Sequence, residues 1–233
     1  MEACLKITYT FVFQNGATKT FDLVLDRKTL SNAARYPANQ PAWTLLSRNQ
    51  CANCSLDLNR HPFCPVALNF AEIAEHFIQA VSHEPVRVVV TTEERTYSKD
   101  TSLQQGLASL LGIVMTTSGC PVLEPLKPMV RFHLPFATIE ETTYRAVSMY
   151  LVAQYCIKQH GGQPDWELYK LADAYENICT VNENFCKRLR TLKSKDANIN
   201  ALVVLDIFAN SVNLSIDRRM VDDLDYLFKG YFK

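Results

Sequence analysis

Glycine is scarce in this chain, seven residues in 233, and the scarcity excludes a good deal of chemistry. The glycines stand at 16, 106, 112, 119, 161, 162 and 230. No G-x-G-x-x-G, no Walker loop and no G-x-S-x-G elbow can be written with them. Phosphate cradling by a glycine-rich turn and α/β-hydrolase chemistry therefore drop out. H-E-x-x-H is also missing, as is any Glu-x-x-His, which di-iron helical bundles use twice.

An excess of either charge is lacking too. There are 24 Lys+Arg against 24 Asp+Glu. Residues 1–100 hold 10 of each sign and residues 101–233 hold 14 of each. Broad attraction to nucleic acid or an anionic membrane needs clustered positive charge, so nucleic acid is not an expected partner. The one basic run, Lys187 to Lys195, contains Leu189 and Leu192 and reads as the end of an amphipathic helix, where cations suit the dipole. No stacking aromatics are interleaved with it. The opening MEACLKITYTFVFQNG has neither a basic n-region nor a continuous apolar run, which argues against a signal peptide. The most apolar late stretch, Ala201 to Ala209, is broken by Asp206 and too short to span a bilayer. The expectation is a cytoplasmic chain without membrane contact. In that compartment eight cysteines read as thiols or metal ligands rather than disulfides.

What is present is ordinary globular composition, with 48% hydrophobic and 21% charged residues, enough to bury a core. Leu5–Phe13 and Thr20–Asp26 are β-branched and aromatic around Asn15-Gly16, a hairpin signature. Three prolines (37, 41 and 62) and no period make the following segment mostly loop. Pro65 opens a helix with the stripe Val66, Phe70, Ile73, Phe77, Val81. Val86–Thr91 reads as a strand pairing with the hairpin, extended by Arg95–Ser98. A helix capped by Asp100 or Thr101 follows, with the stripe Leu103, Leu107, Leu110, Leu111, Val114. Gly106 and Gly112 within it point to close backbone packing. Thr138-Ile139-Glu140-Glu141 forms a capping box before a helix over Ile139–Gln159, apolar on most faces and so expected at the centre. Asp165–Lys193, Asn198–Ser215 and Asp217–Phe228 complete the helical reading. The expected class is α+β: residues 1–100 as a small hairpin and sheet segment with a Cys-rich loop and one helix, then residues 101–233 as an α-helical bundle. With no Gly/Ser linker between them, one continuous domain is equally consistent.

The chemistry concentrates in QCANCSLDLNRHPFCPVALNF. Cys51 and Cys54 form a C-x2-C pair, and His61 and Cys64 an H-x2-C pair. Two close pairs from a turn-rich segment are what tetrahedral zinc requires, each supplying two corners. Cys120 offers a second completion, because Cys64-Pro65-Val66 is echoed by Cys120-Pro121-Val122. Both cysteines precede a proline at a possible helix start, where unpaired N–H groups stabilise a thiolate. Cys51, Cys54 and Cys64 are the core of the ligand set. Spacing leaves Cys120 and His61 as alternatives for the fourth ligand, with His133 behind them. Four thiolates would also suit an iron–sulfur cluster. Cys4, Cys156, Cys179 and Cys186 fall in strand or helix patterns and read as core filling. His133 reads as a hydrogen-bonded buried imidazole, and Asp206 with Asn210 as a satisfied structural pair.

The stretches CANCSL…HPFCPVALN, TSLQQGLASLLGIVMTTSGCP and RFHLPFATIEETTYRAVSMYLVAQY resemble an uncharacterised family of bacterial proteins over most of the chain. The resemblance implies a bacterial, cytoplasmic origin and no particular reaction. The functional expectation is a metal-binding protein with structural zinc, Cys4 or Cys3His, and a helical surface for self-association or a protein partner. The alternative is an iron–sulfur or thiol-dependent redox protein using the same cysteines. Enzymatic activity is left open.

Overall fold

The computed structural model describes residues 4–32, 40–217 and 226–232. Strands β1 (Cys4–Phe13) and β2 (Thr18–Asp26) form the hairpin, with Gly16 at φ +81° in its turn. A side chain would be strained at that φ, which is why glycine stands there. Strands β3 (Pro85–Thr91) and β4 (Thr96–Ser102) complete a four-stranded antiparallel sheet in the order β2-β1-β3-β4. The pairing of β3 with the hairpin matches expectation, in the register Phe11↔Val88. Alternation decides which face is buried: Leu5, Ile7, Tyr9 and Phe11 of β1 and Val86, Val88 and Val90 of β3 all turn inward.

Six α-helices lie among the described residues: α1 (Pro65–His76), α2 (Leu103–Thr116), α3 (Lys127–Arg131), α4 (Ile139–Gln159), α5 (Tyr169–Leu189) and α6 (Ala197–Asp217). The class is α+β, a sheet followed by a helical part. Helix α2 lies against the sheet at Gly106, where a Cβ would stand 2.7 Å from Val88 and 2.9 Å from Phe11. Only a missing side chain permits that approach. Gly112 differs: a Cβ there meets Leu205 at an ordinary 3.5 Å, so close packing does not explain it. Phe77, just beyond α1, packs its ring 5.3 Å from Phe11. Helices α5 and α6 pack on each other, and α6 packs on α2 and α4. The buried apolar residues form one cluster from Leu5 to Val212.

Several local expectations need correction. The N-cap of α2 is Ser102 rather than Asp100 or Thr101, because β4 runs to Ser102 and passes directly into the helix. Both bonds of the capping box at Thr138 and Glu141 form, and α4 has the expected bounds, yet it is peripheral. Val152 and Tyr155 are 63% and 57% exposed. Its apolar residues outnumber the neighbours available to cover them. The apolar stretch read as ending at Ala209 continues, since Ala197–Ile216 is by length and composition long and apolar enough to cross a membrane. In the fold it packs against α2, α4 and α5. A helix over Asp217–Phe228 lies mostly outside the described residues. Cys156 is exposed rather than core-filling, whereas Cys4, Cys179 and Cys186 are half-buried.

Candidate metal centre

The Cys-rich segment is a closed excursion from the core. A 3₁₀ turn over Ala42–Thr44 leads into an isolated bridge between Leu45 and Phe63. Leu46 N–H donates to the Pro62 carbonyl at 2.8 Å, and Cys64 N–H to the Thr44 carbonyl at 2.8 Å. The two ends of the loop are thereby clamped side by side. Within it, Cys54 N–H donates to the Cys51 carbonyl at 3.0 Å, so the C-x2-C pair is a tight turn with both thiols on one side of the chain.

Cys64 is the N-cap of α1, with Pro65 behind it at the first helical position. No side-chain cap hydrogen bond forms at Cys64, but the backbone N–H groups of Val66 and Ala67 lie near enough to its sulfur to favour the thiolate, as expected at a helix start. Cys120 repeats the arrangement at a turn rather than an α-helix, with the Val122 and Leu123 N–H groups favouring its thiolate. Tertiary packing brings Cys120, and neither histidine, into one cavity with the trio. Cys51, Cys54, Cys64 and Cys120 together line one cavity of about 20 Å³, closed by Leu46, Val181 and Phe185. That is room for a single water-sized occupant. His61 does not line it; the residue is exposed on the outer arm of the loop, in a turn closed onto the Asp57 carbonyl. His133 lies elsewhere, bonded to Tyr9.

The thiols sense one another. Burial pushes Cys51 up to about 12, and the neighbouring Cys64, Cys120 and Cys54 add to the rise. Burial likewise pushes Cys120 up to about 11 and raises Cys64. With the Arg188 guanidinium only partly opposing burial, these thiols are protonated near neutral pH unless a metal ion joins them. Among the described residues, no three His, Cys, Asp or Glu side chains already stand in a geometry that holds a metal ion. All eight cysteines are free.

The residue that sequence reasoning missed is Arg188. It was placed in a basic helix end, yet it is 2% exposed. Its Nη1 donates to the carbonyls of Trp43 (2.7 Å) and Leu45 (2.6 Å), and its Nη2 to Leu46 (3.5 Å) and Asn49 (3.2 Å). One guanidinium on α5 thus carries the backbone of the entire approach to Cys51. Its positive charge also faces Cys64, Cys51 and Cys54. A usable signal was present: Arg188 continues the Ile178, Val181, Phe185 stripe at helical spacing, so it belongs to the buried face.

The model of one protein family, a domain of unknown function (DUF6901), matches residues 7–229. The chain belongs to that family. No curated protein and no solved structure matches it.

Proposed function

We propose that this member of the family is a zinc protein of the bacterial cytoplasm, with Cys51, Cys54, Cys64 and Cys120 holding one structural ion. The observation that carries the reading is convergence. Thiols from a loop, a helix start and a distant turn line a single cavity of about 20 Å³. Packing alone has no need of four polarisable, ionisable groups at one point. The C-x2-C…C-P pattern is then the family's binding motif.

The physical chemistry supports an ion there. A divalent cation reverses the balance that keeps the buried thiols protonated, so binding releases protons. The backbone N–H groups near the Cys64 and Cys120 sulfurs favour their thiolate forms, as outer-shell donors do. Four thiolates around Zn²⁺ leave a net charge of about −2, which Arg188 partly offsets. Closing the site requires the four thiols to turn toward one point, since no three of them stand in ligand geometry among the described residues.

Elemental analysis of untagged protein purified without oxygen tests this. About one zinc per chain is expected from a four-thiolate site. Cys120→Ser should lower the occupancy, and His61→Ala should leave it unchanged. A brown protein containing iron and sulfide would instead establish the iron–sulfur alternative. Finding neither metal, with all eight thiols freely titratable in the native state, overturns the proposal.

The exposed apolar side chains on α4 (Val152, Tyr155) and α6 (Ile207, Leu214) support a second element of the reading, association of this surface with a protein partner or another copy. Light scattering of the purified chain tests for the copy, which predicts a dimer mass that Val152→Glu returns to monomer.

A further inference from the structure

A second, roomier cavity adjoins the cysteine segment: Leu123, three residues past Cys120, and Ile178 and Asn182, on either side of Val181, help to line it. It measures about 280 Å³ and is bounded by α2, the 123–137 segment, α4, α5 and α6. That size falls near the lower end of the ~300–1,000 Å³ typical of ligand pockets. Most of its wall is apolar, including Ile113, Leu123, Met129, Phe136 and Phe208. Arg145 and His133 stand among the polar residues of that wall, and both have capacity to spare.

Arg145 is half-buried. One of its amino groups, Nη2, donates to the carbonyls of Met129 (2.9 Å) and Phe132 (2.8 Å). This fixes the guanidinium plane and leaves Nη1 and Nε without a protein acceptor among the described residues. No carboxylate is within ion-pair distance of it among those residues. Glu141, one turn back on α4, turns its carboxylate to the Thr138 N–H at 2.7 Å and contributes only a distant pull. Lys99 adds a second cation to the wall. Burial pushes the Arg145 guanidinium down from its ordinary value, which marks a charge short of a counter-ion.

His133 bonds through Nε2 to the Tyr9 hydroxyl at 2.6 Å, and that hydroxyl also bonds Ser109 Oγ at 2.8 Å. Burial, with Arg145 nearby, pushes the imidazole down to about 3, so it is neutral. The Tyr9 hydroxyl can donate to Nε2 while accepting from Ser109, and in that tautomer the His133 proton resides on Nδ1, which has no acceptor among the described residues. A guanidinium with two free donors, a neutral imidazole N–H and an apolar chamber form a consistent set. Arg recognises carboxylate through paired N–H donors.

We propose that this cavity binds a small carboxylic acid with an aliphatic or aromatic body, the carboxylate on Arg145 and His133 and the body between α2 and α6. This is a ligand site distinct from the cysteine cluster. Its readout does not involve zinc, so either proposal can fail without the other.

The chain contains five methionines, of which Met115 and Met129 line the cavity. With ¹³C-labelled methionine methyls, hexanoate or phenylacetate should shift those two signals, with a Kd between about 10 μM and about 1 mM. Hexanamide and phenylacetamide, the same shape without the charge, should bind at least about tenfold more weakly. Arg145→Gln should abolish the difference between acid and amide, while Arg145→Lys should retain part of it. If the Gln variant does not fold, the acid–amide comparison on the natural chain decides the matter alone. Equal binding of acids and amides, shifts at other methionines, or no shift at about 10 mM acid overturns the proposal.

Discussion

Two cavities among the described residues each hold an arginine, buried at one and half-buried at the other, and they use it in opposite ways. Around the small one, Arg188 has both amino groups engaged with four backbone carbonyls. Its role is structural: it fixes a loop that has little other reason to hold one shape. Around the large one, Arg145 gives a single amino group to two carbonyls and keeps the rest of its fork for whatever enters. The same side chain thus serves as an anchor when its donors are all used and as a receptor when they are not. The thiol site is positioned by the first kind of arginine, the apolar chamber is charged by the second.

Breaking the anchor should have the largest effect. Arg188→Met leaves four carbonyls without their donor and frees the approach to Cys51, and should destabilise the fold by about 3–5 kcal/mol. Urea unfolding measures this, and a loss under about 1 kcal/mol would mean the loop is held by something else. Arg145→Met should be milder, about 1–2 kcal/mol, since fewer bonds are lost. Near-equal losses for the two arginines would dissolve the contrast drawn between them.

The polar wall of the large cavity can be probed by pH. His133 has its protonation pushed down to about 3 by burial and by Arg145, against about 6.5 in an unfolded chain. As pH falls through about 6.5, the unfolded state takes up this proton first. The stability His133 contributes is therefore complete above about 6.5 and lost progressively toward pH 3. Melting curves of natural protein and His133→Gln over that window should converge as the pH falls. Parallel curves would show that His133 is not held neutral. Tyr9→Phe removes the hydroxyl shared by Ser109 and His133 and should cost about 1–2 kcal/mol.

Two glycines of α2 sharpen the difference between packed core and open chamber. Gly106→Ala forces a methyl against Val88 and Phe11 and should cost about 1–3 kcal/mol. Gly112→Ala enters the cavity wall with ordinary contact and should gain about 0.5–1 kcal/mol from helix propensity. Thermal unfolding of the pair checks the opposite signs. The smallest expected effect is His61→Ala, within about 0.5 kcal/mol for an exposed loop residue.

The elements were legible where a local rule suffices. Asn15-Gly16 marks a hairpin, Pro65 marks a helix start and Thr138 with Glu141 marks a cap, because each is settled by atoms within a few residues. The centrality of α4 was misjudged because hydrophobicity tells how much area wants burial, not whether a neighbour exists to bury it. The start of α2 was misplaced because β4 runs on to Ser102 before the chain turns into the helix, so the cap falls at the strand's last residue. Arg188 was misread because its charge was weighed more heavily than its place on the stripe.

The sequence alone determined the α+β class, the hairpin, the Cys51, Cys54 and Cys64 trio and the family resemblance, all of which rest on short-range spacing. Tertiary structure decided that Cys120 rather than His61 lines the cavity with that trio, since the contact spans more than fifty residues and no local period encodes it. It also decided that one arginine is spent on backbone while another keeps donors free. That difference depends on which carbonyls the fold brings within reach, and a side chain's identity carries no record of its neighbours.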